Sequence, residues 1–236
     1  TDIIKRLNEN IDGGGFELQI RNADGSSRRA NNEEQAAADF ESKLQQTAVY
    51  LKDLGQNQKL DWAEQQRNYG NELFGKREYK QALDVYLTCL VVAAAEDCED
   101  TTILFGKVMN NLASTTLQLN MYKKTITFCD LGLERVKDNL QRSKLYFKRA
   151  KAGRLRGDYD VNDLEQSRQC LEASDSADRT ALLKAIDREQ ELLDRALERA
   201  KQNKVQQKTN LQKFVQEQSS LLYEKPSKRE FSTIRA

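Results

Sequence analysis

Arg67-Asn68-Tyr69-Gly70-Asn71-Glu72-Leu73-Phe74, followed by Tyr79, Ala82, Tyr86 and Cys89, is the stretch from which the rest of the chain is interpreted. Large and small apolar residues recur here at helical spacing. Gly70 sits where a missing side chain lets a second helix approach, and Leu73, Ala82, Tyr86 and Cys89 take the interlocking positions around it. The stretch therefore predicts two short helices, Trp62–Gly75 and Tyr79–Ala95, joined by a tight turn. Arg67 and Asn71 are one helical turn apart, which puts a cation and an amide on the same face of the first helix.

The same pattern returns twice downstream. A second pair is expected at Ile103–Leu119 and Tyr122–Val136, with Ala113 as its small residue, and a third at Arg142–Arg156 and Tyr159–Leu171, with Ala150 in that role. Asp61 and Glu64 have the spacing of a capping box and are expected to open the array. Glu96-Asp97-Cys98-Glu99-Asp100 is an acidic insertion between the first two pairs. The second helix of the third pair departs from the pattern, because Asn162 and Gln166 stand where Ala and an aromatic are expected. Its apolar face is then Val161, Leu164 and Leu171.

Three helical pairs of this kind resemble the tetratricopeptide (TPR) repeat, a helix–turn–helix unit of about 34 residues. The resemblance covers roughly residues 61–200 and is similar to the carboxylate-clamp arrays of large immunophilins and chaperone-organising adaptors. It implies an all-α fold of three repeats in a right-handed superhelix, closed by a long C-terminal capping helix. Gly70, Ala113 and Ala150, with Tyr79, Tyr122 and Tyr159, are then structural residues. In that class five groove residues, in the order Lys, Asn, Asn, Lys, Arg, hold the C-terminal Glu-Glu-Val-Asp of heat-shock chaperones. Carried onto this chain, the positions fall on Arg67, Asn71, Asn111, Lys144 and Lys148. Arg and Lys are exchanged at the two ends. Arg67 offers a planar fork that a carboxylate can meet in bidentate fashion, whereas Lys148 offers a mobile point charge.

Outside the repeats, residues 1–60 form an N-terminal extension. Ile3, Ile4, Leu7 and Ile11 have helical spacing that Gly13-Gly14-Gly15 stops. Phe16, Leu18 and Ile20 alternate as a single strand without an evident partner, Asn22 to Arg29 is loop material, and Asn32 to Lys52 is a helix with the stripe Ala36, Phe40, Leu44, Ala48 and Leu51. The repeat domain spans residues 61–174, a long helix 175–217, and a tail 218–236. Leu182, Ile186, Leu193, Ala196, Leu197 and Ala200 make a stripe suited to covering the last repeat. Beyond them the stripe thins to Val205, Leu211, Phe214 and Val215, and the distal half is expected to project from the body.

Composition sets the remaining bounds. Charged residues make up 32% of the 236, aromatic residues 7%, and Pro226 is the single proline, which suits long polar-faced helices. Lys plus Arg is 38 and Asp plus Glu is 37, so overall charge gives no reason to expect nucleic acid as a partner. No run of about 18 apolar residues predicts a membrane span. Cys89, Cys129 and Cys170 fall on apolar stripes and Cys98 in the insertion. With no histidine and no CxxC, a zinc site, a catalytic triad or another catalytic centre is not expected, nor any cofactor. Gly13-Gly14-Gly15 is not followed by the Lys and Ser or Thr of a phosphate loop. Four unpaired cysteines fit a reducing compartment such as the cytoplasm. The first residue, Thr1, fits a processed chain or a piece of a longer one.

Two functions follow as expectations. The first is an adaptor that holds the acidic C-terminal peptide of a partner, a heat-shock chaperone of the 90 or 70 kDa class. The N-terminal segment and the distal helix then meet a second protein surface. The alternative is a structural TPR scaffold subunit of a large assembly, with the clamp degenerate or unused.

Overall fold

The computed structural model describes residues 19–94, 98–174 and 179–222. Two three-residue strands, β1 (Gln19–Arg21) and β2 (Ser27–Arg29), pair antiparallel with Gln19 opposite Arg29. The expectation of a lone strand is thus corrected, because the segment taken as loop supplies its partner. Asn22, Asp24 and Gly25 turn the chain back: Asp24 Oδ1 accepts from the Ser26 amide at 2.9 Å, and Gly25 has φ 86°. Phe16, Leu18 and the apolar spacing from Ile3 to Ile11 lie outside the described residues.

Eight helices follow among the described residues. In α1 (Asn32–Lys52), Asn31 caps the Glu34 amide at 2.9 Å and the Glu34 side chain returns the bond, a complete capping box. Of its expected stripe only Leu51 is buried; Phe40 and Leu44 are half-buried, and Ala36 and Ala48 are exposed. The repeats themselves are α2 (Gln56–Gly75) with α3 (Tyr79–Ala93), α4 (Glu99–Gln118) with α5 (Tyr122–Arg135), and α6 (Asn139–Arg156) with α7 (Asn162–Glu172). This is an all-α helical repeat, the architecture that the TPR resemblance implies.

Several boundaries move. α2 begins at Gln56, so Asp61 lies inside the helix and is exposed rather than capping it. Glu99 and Asp100 belong to the first turn of α4, not to an insertion, where their charge complements the amides exposed at a helix start. Asp138, accepting from Gln141 N at 2.8 Å, starts α6 ahead of the expected Arg142. Tyr159 and Val161 precede α7 and are exposed, which corrects Tyr159 as a packing residue and Val161 as part of the apolar face.

All three hairpins close alike. Glu78 N donates to Leu73 O at 2.9 Å, Met121 N to Thr116 O at 2.8 Å, and Asp158 N to Gly153 O at 2.9 Å. This six-residue closure needs one residue at positive φ. Arg77 (64°), Asn120 (57°) and Gly157 (94°) supply it. Within each hairpin the two helices pack on each other, and the first helices also pack side by side, α2 against α4 and α4 against α6. They form one layer, and the core runs through Ala63, Leu73, Tyr86, Leu104, Met109, Leu112 and Leu145.

Gly70 carries the first hairpin. A Cβ there would meet the Tyr86 ring at 2.5 Å, so the aromatic ring lies directly on the α2 backbone. The third hairpin is held differently. Ser143 Oγ donates to Ser167 O and Ser167 Oγ to Ser143 O, both at 2.8 Å, while Leu145, Leu164 and Leu171 are fully buried.

Two compact units divide the chain, one ending at Ile186 and the other starting at Asp187. The long helix α8 (Arg179–Leu222) has 44 residues, about 66 Å at ~1.5 Å per residue. In the second unit Val205, Leu211, Phe214 and Val215 are exposed. No helix among the described residues is long and apolar enough to cross a membrane.

Candidate functional site

The five expected groove residues all come from the layer of first helices: Arg67 and Asn71 from α2, Asn111 from α4, Lys144 and Lys148 from α6. The structure joins the two asparagines directly. Asn111 Nδ2 donates to Asn71 Oδ1 at 2.8 Å, and Tyr86 Oη donates to the same oxygen at 2.8 Å. Because the Asn71 carbonyl takes both bonds, its amide N–H groups are what it offers a ligand, and N–H donors are what a carboxylate requires. Burial pushes the Tyr86 hydroxyl up to about 12, so it remains a donor at any physiological pH.

Arg67 is less available than a bare groove cation. Its Nε donates to Glu64 Oε2 at 2.7 Å and an Nη to Asn68 Oδ1 at 3.1 Å, so one edge of the guanidinium fork is already engaged. The other oxygen of Glu64 accepts from Lys107 Nζ on α4 at 2.8 Å. Burial alone would raise the Glu64 carboxyl, but the hydrogen bonds from Lys107 and Arg67 outweigh it and hold the group below its ordinary value.

At the other end, Lys148 is not the mobile point charge expected from sequence. Its ammonium donates to Asn110 Oδ1, and Asn110 Nδ2 in turn donates to Gln141 Oε1 at 2.9 Å. Burial pulls the Lys148 ammonium down to about 8; neighbouring Cys129 opposes that shift and the Lys144 charge adds to it. Asn110 and Asn111 are consecutive, so α4 links the two halves: one amide faces Asn71, the other Lys148.

Four residues of this constellation escaped the sequence reading in this role. By spacing alone Tyr86 reads as a packing residue and Glu64 as half of a capping box, and Asn110 carries no pattern that singles it out. Lys107 carried a signal: it precedes Asn111 by one turn, as Arg67 precedes Asn71. The cysteines are free, with Cys89 and Cys129 buried, Cys170 half-buried and Cys98 exposed. Burial pushes the Cys89 and Cys129 thiols up to about 12, which keeps them unreactive. Among the described residues no group of His, Cys, Asp or Glu is arranged to hold a metal.

No protein-family model matches the chain, and no curated protein matches it. Solved structures that resemble it include the following two. One is the C-terminal TPR-containing domain of a Plasmodium falciparum FK506-binding protein, 21% identical with a TM-score of 0.47, the match covering 64% of this chain and 99% of that one. The other is the Hsp90 co-chaperone Cns1 from Saccharomyces cerevisiae, 24% identical with a TM-score of 0.40, covering 71% of this chain and 53% of that one. The match thus spans about half the length of the yeast protein.

Proposed function

We propose that this chain is a protein-interaction adaptor whose groove captures the acidic C-terminal peptide of a partner, and that the partner is a heat-shock chaperone in the cytoplasm. The observation that carries the reading is the bond between Asn71 and Asn111. Two amides from separate hairpins are fixed side by side, with Arg67 one turn away on α2 and Lys144 and Lys148 on α6. A terminal carboxylate needs N–H donors and a neighbouring cation, and charge-assisted bonds of this kind contribute about 1.5–3 kcal/mol each. Three cations near a bound acidic peptide also make the affinity fall with rising ionic strength.

Calorimetric titration with a peptide ending in Met-Glu-Glu-Val-Asp tests the reading. The free-acid peptide binds, the C-terminally amidated peptide binds far more weakly, and Arg67→Ala with Lys144→Ala abolishes measurable binding. Equal affinity for the free and amidated peptides would reject it.

The exposed Val205, Leu211, Phe214 and Val215 of α8 favour a second surface for another protein, and with it the alternative of a scaffold subunit. Solving the native complex with its groove filled by a neighbouring subunit would favour that alternative.

A further inference from the structure

The groove holds an ion triad that the five expected positions do not account for. Glu64 bridges Arg67 of α2 and Lys107 of α4, at 2.7 and 2.8 Å. Lys107 stands one turn before Asn111, as Arg67 stands before Asn71 and Lys144 before Lys148. Lys107 and Lys144 each stand six residues before the small residue of their hairpin, Ala113 and Ala150, and Glu64 stands six before Gly70, so a carboxylate of the protein itself takes the place in α2 that a cation takes in α4 and α6.

A terminal carboxylate accounts for one cation set and the paired amides. The Arg67–Lys107 pair is a second place for an anion. Its side chains keep 19% and 39% of their exposure, and Glu64 keeps 35%. An ion pair this open to water is weak and is readily exchanged for another carboxylate in the same position. With Glu64 between them, the two cations are also held apart at the spacing one carboxylate spans, so the place is shaped before a ligand arrives.

We propose that Glu64 is a resident carboxylate that an acidic side chain of the incoming peptide displaces, so that Arg67 and Lys107 select ligands with an acid upstream of the C-terminal residue. The proposal rests on the reading of this groove as a carboxylate site. Lys107 is then a specificity-determining cation, and Glu64 sets how strongly a ligand must compete for it.

The test is Glu64→Gln, which keeps the side-chain length and removes the competing charge. Titrations use two peptides, one ending in Met-Glu-Glu-Val-Asp and one in Met-Gln-Gln-Val-Asp. Affinity for the first is expected to rise about fivefold in Glu64→Gln, the scale of a partly exposed ion pair, while affinity for the second stays constant. Lys107→Gln is expected to erase the difference between the two peptides. Unchanged or weaker binding of the first peptide by Glu64→Gln, or an equal gain for both, would show that Glu64 is a staple between α2 and α4 and would overturn the proposal. Where neither peptide binds, the groove reading falls, and succinate titrated against the wild type and Glu64→Gln takes over. Tighter succinate binding by the variant retains the displaced carboxylate, and no difference overturns it.

Discussion

The first and third hairpins share one geometry and are held by opposite chemistries. In the first, α2 and α3 meet through a missing side chain, Gly70 under the Tyr86 ring, amid buried Ala63, Leu73, Ala82 and Cys89. In the third, α6 and α7 meet through reciprocal serine bonds, Ser143 with Ser167, and through Arg149, whose Nε and Nη2 reach both oxygens of Asp163 at 2.9 and 2.6 Å. Arg149 also reaches Asp130 on α5 at 2.5 Å, tying the third hairpin to the second. Those carboxylates raise the guanidinium above its already high ordinary value, with the Asp163 hydrogen bonds the largest cause. The turn closures are the same in both hairpins. The repeat thus specifies a helix spacing and a turn, and leaves open whether shape or charge fills the space. The first hairpin should not tolerate an added atom, and the third should not tolerate a removed charge.

The largest effect is expected from Arg149→Ala. Asp163 is almost fully buried, with 6% of its side chain exposed, so the variant strands a carboxylate in the interior. Loss of one partner of such a pair costs about 3 kcal/mol or more. Denaturant unfolding should show it, and Asp163→Ala added on top should recover much of the loss. A cost below ~1 kcal/mol would mean that apolar packing of Leu164 and Leu171 suffices.

Gly70→Ala is the matching insult to the first hairpin. The new methyl collides with the ring of Tyr86 within the core, and overpacking of this kind costs about 1–3 kcal/mol. The melting temperature should fall, and Tyr86→Leu should restore part of it by vacating the ring's space. A Gly70→Ala variant as stable as the wild type would remove the reason for a glycine here.

The two ends of the groove should also answer pH differently. Arg67 stays charged throughout the accessible range, whereas Lys148 releases its proton near 8. A bound carboxylate favours the charged ammonium, so peptide affinity should be full below pH 7 and weaken as pH rises through about 8, by up to tenfold per unit. Fold stability has the opposite sign. The folded-state value lies below the ordinary 10.5, so the folded state gains as pH rises between about 8 and 10.5. Lys148→Arg should flatten the binding profile, and a persistent loss of affinity near pH 8 in that variant would assign the titration to another group.

The smallest effect is Tyr86→Phe, which keeps the ring on Gly70 and deletes the hydroxyl that holds Asn71. Stability should drop by about 1 kcal/mol. Peptide affinity should fall as well, because Asn71 loses one of the two bonds that orient it. Unchanged affinity would mean that Asn111 alone fixes the amide.

Much of the fold was legible because large and small apolar residues recur at a period that backbone geometry imposes. Gly70, Ala113 and Ala150 are the small residues expected on the first helices, and all three are buried there, with the Tyr86 ring directly on Gly70. What sequence misplaced was helix starts. Gly55 opens α2 without a capping side chain, and Cys98 opens α4 before a polar turn, so neither offered the Ser, Thr, Asp or Asn that marks a start. The hairpin β1–β2 was half legible: its turn residues were plain, but Ser27-Arg28-Arg29 lacks apolar alternation and reads as loop. Of the site, the paired asparagines were visible in the resemblance. The partners of Arg67 and Lys148 were not: Glu64 lies three residues before Arg67 on α2 but reads there as half of a capping box, and Asn110 reaches Lys148 across space from α4 to α6, where a spacing rule along one helix cannot follow.

The order of contacts along the chain has a kinetic consequence. Each hairpin pairs helices that are adjacent in sequence, and each joins the next through its neighbour. Such local topology folds fast, since little loop entropy is spent before contacts form. During synthesis the first hairpin can close while the third is still being made. The asparagine pair is then complete as soon as α4 docks, and Lys148 arrives on an α4 whose Asn110 is already in place. The groove is built from one end, and its last cation is the one whose charge depends on pH.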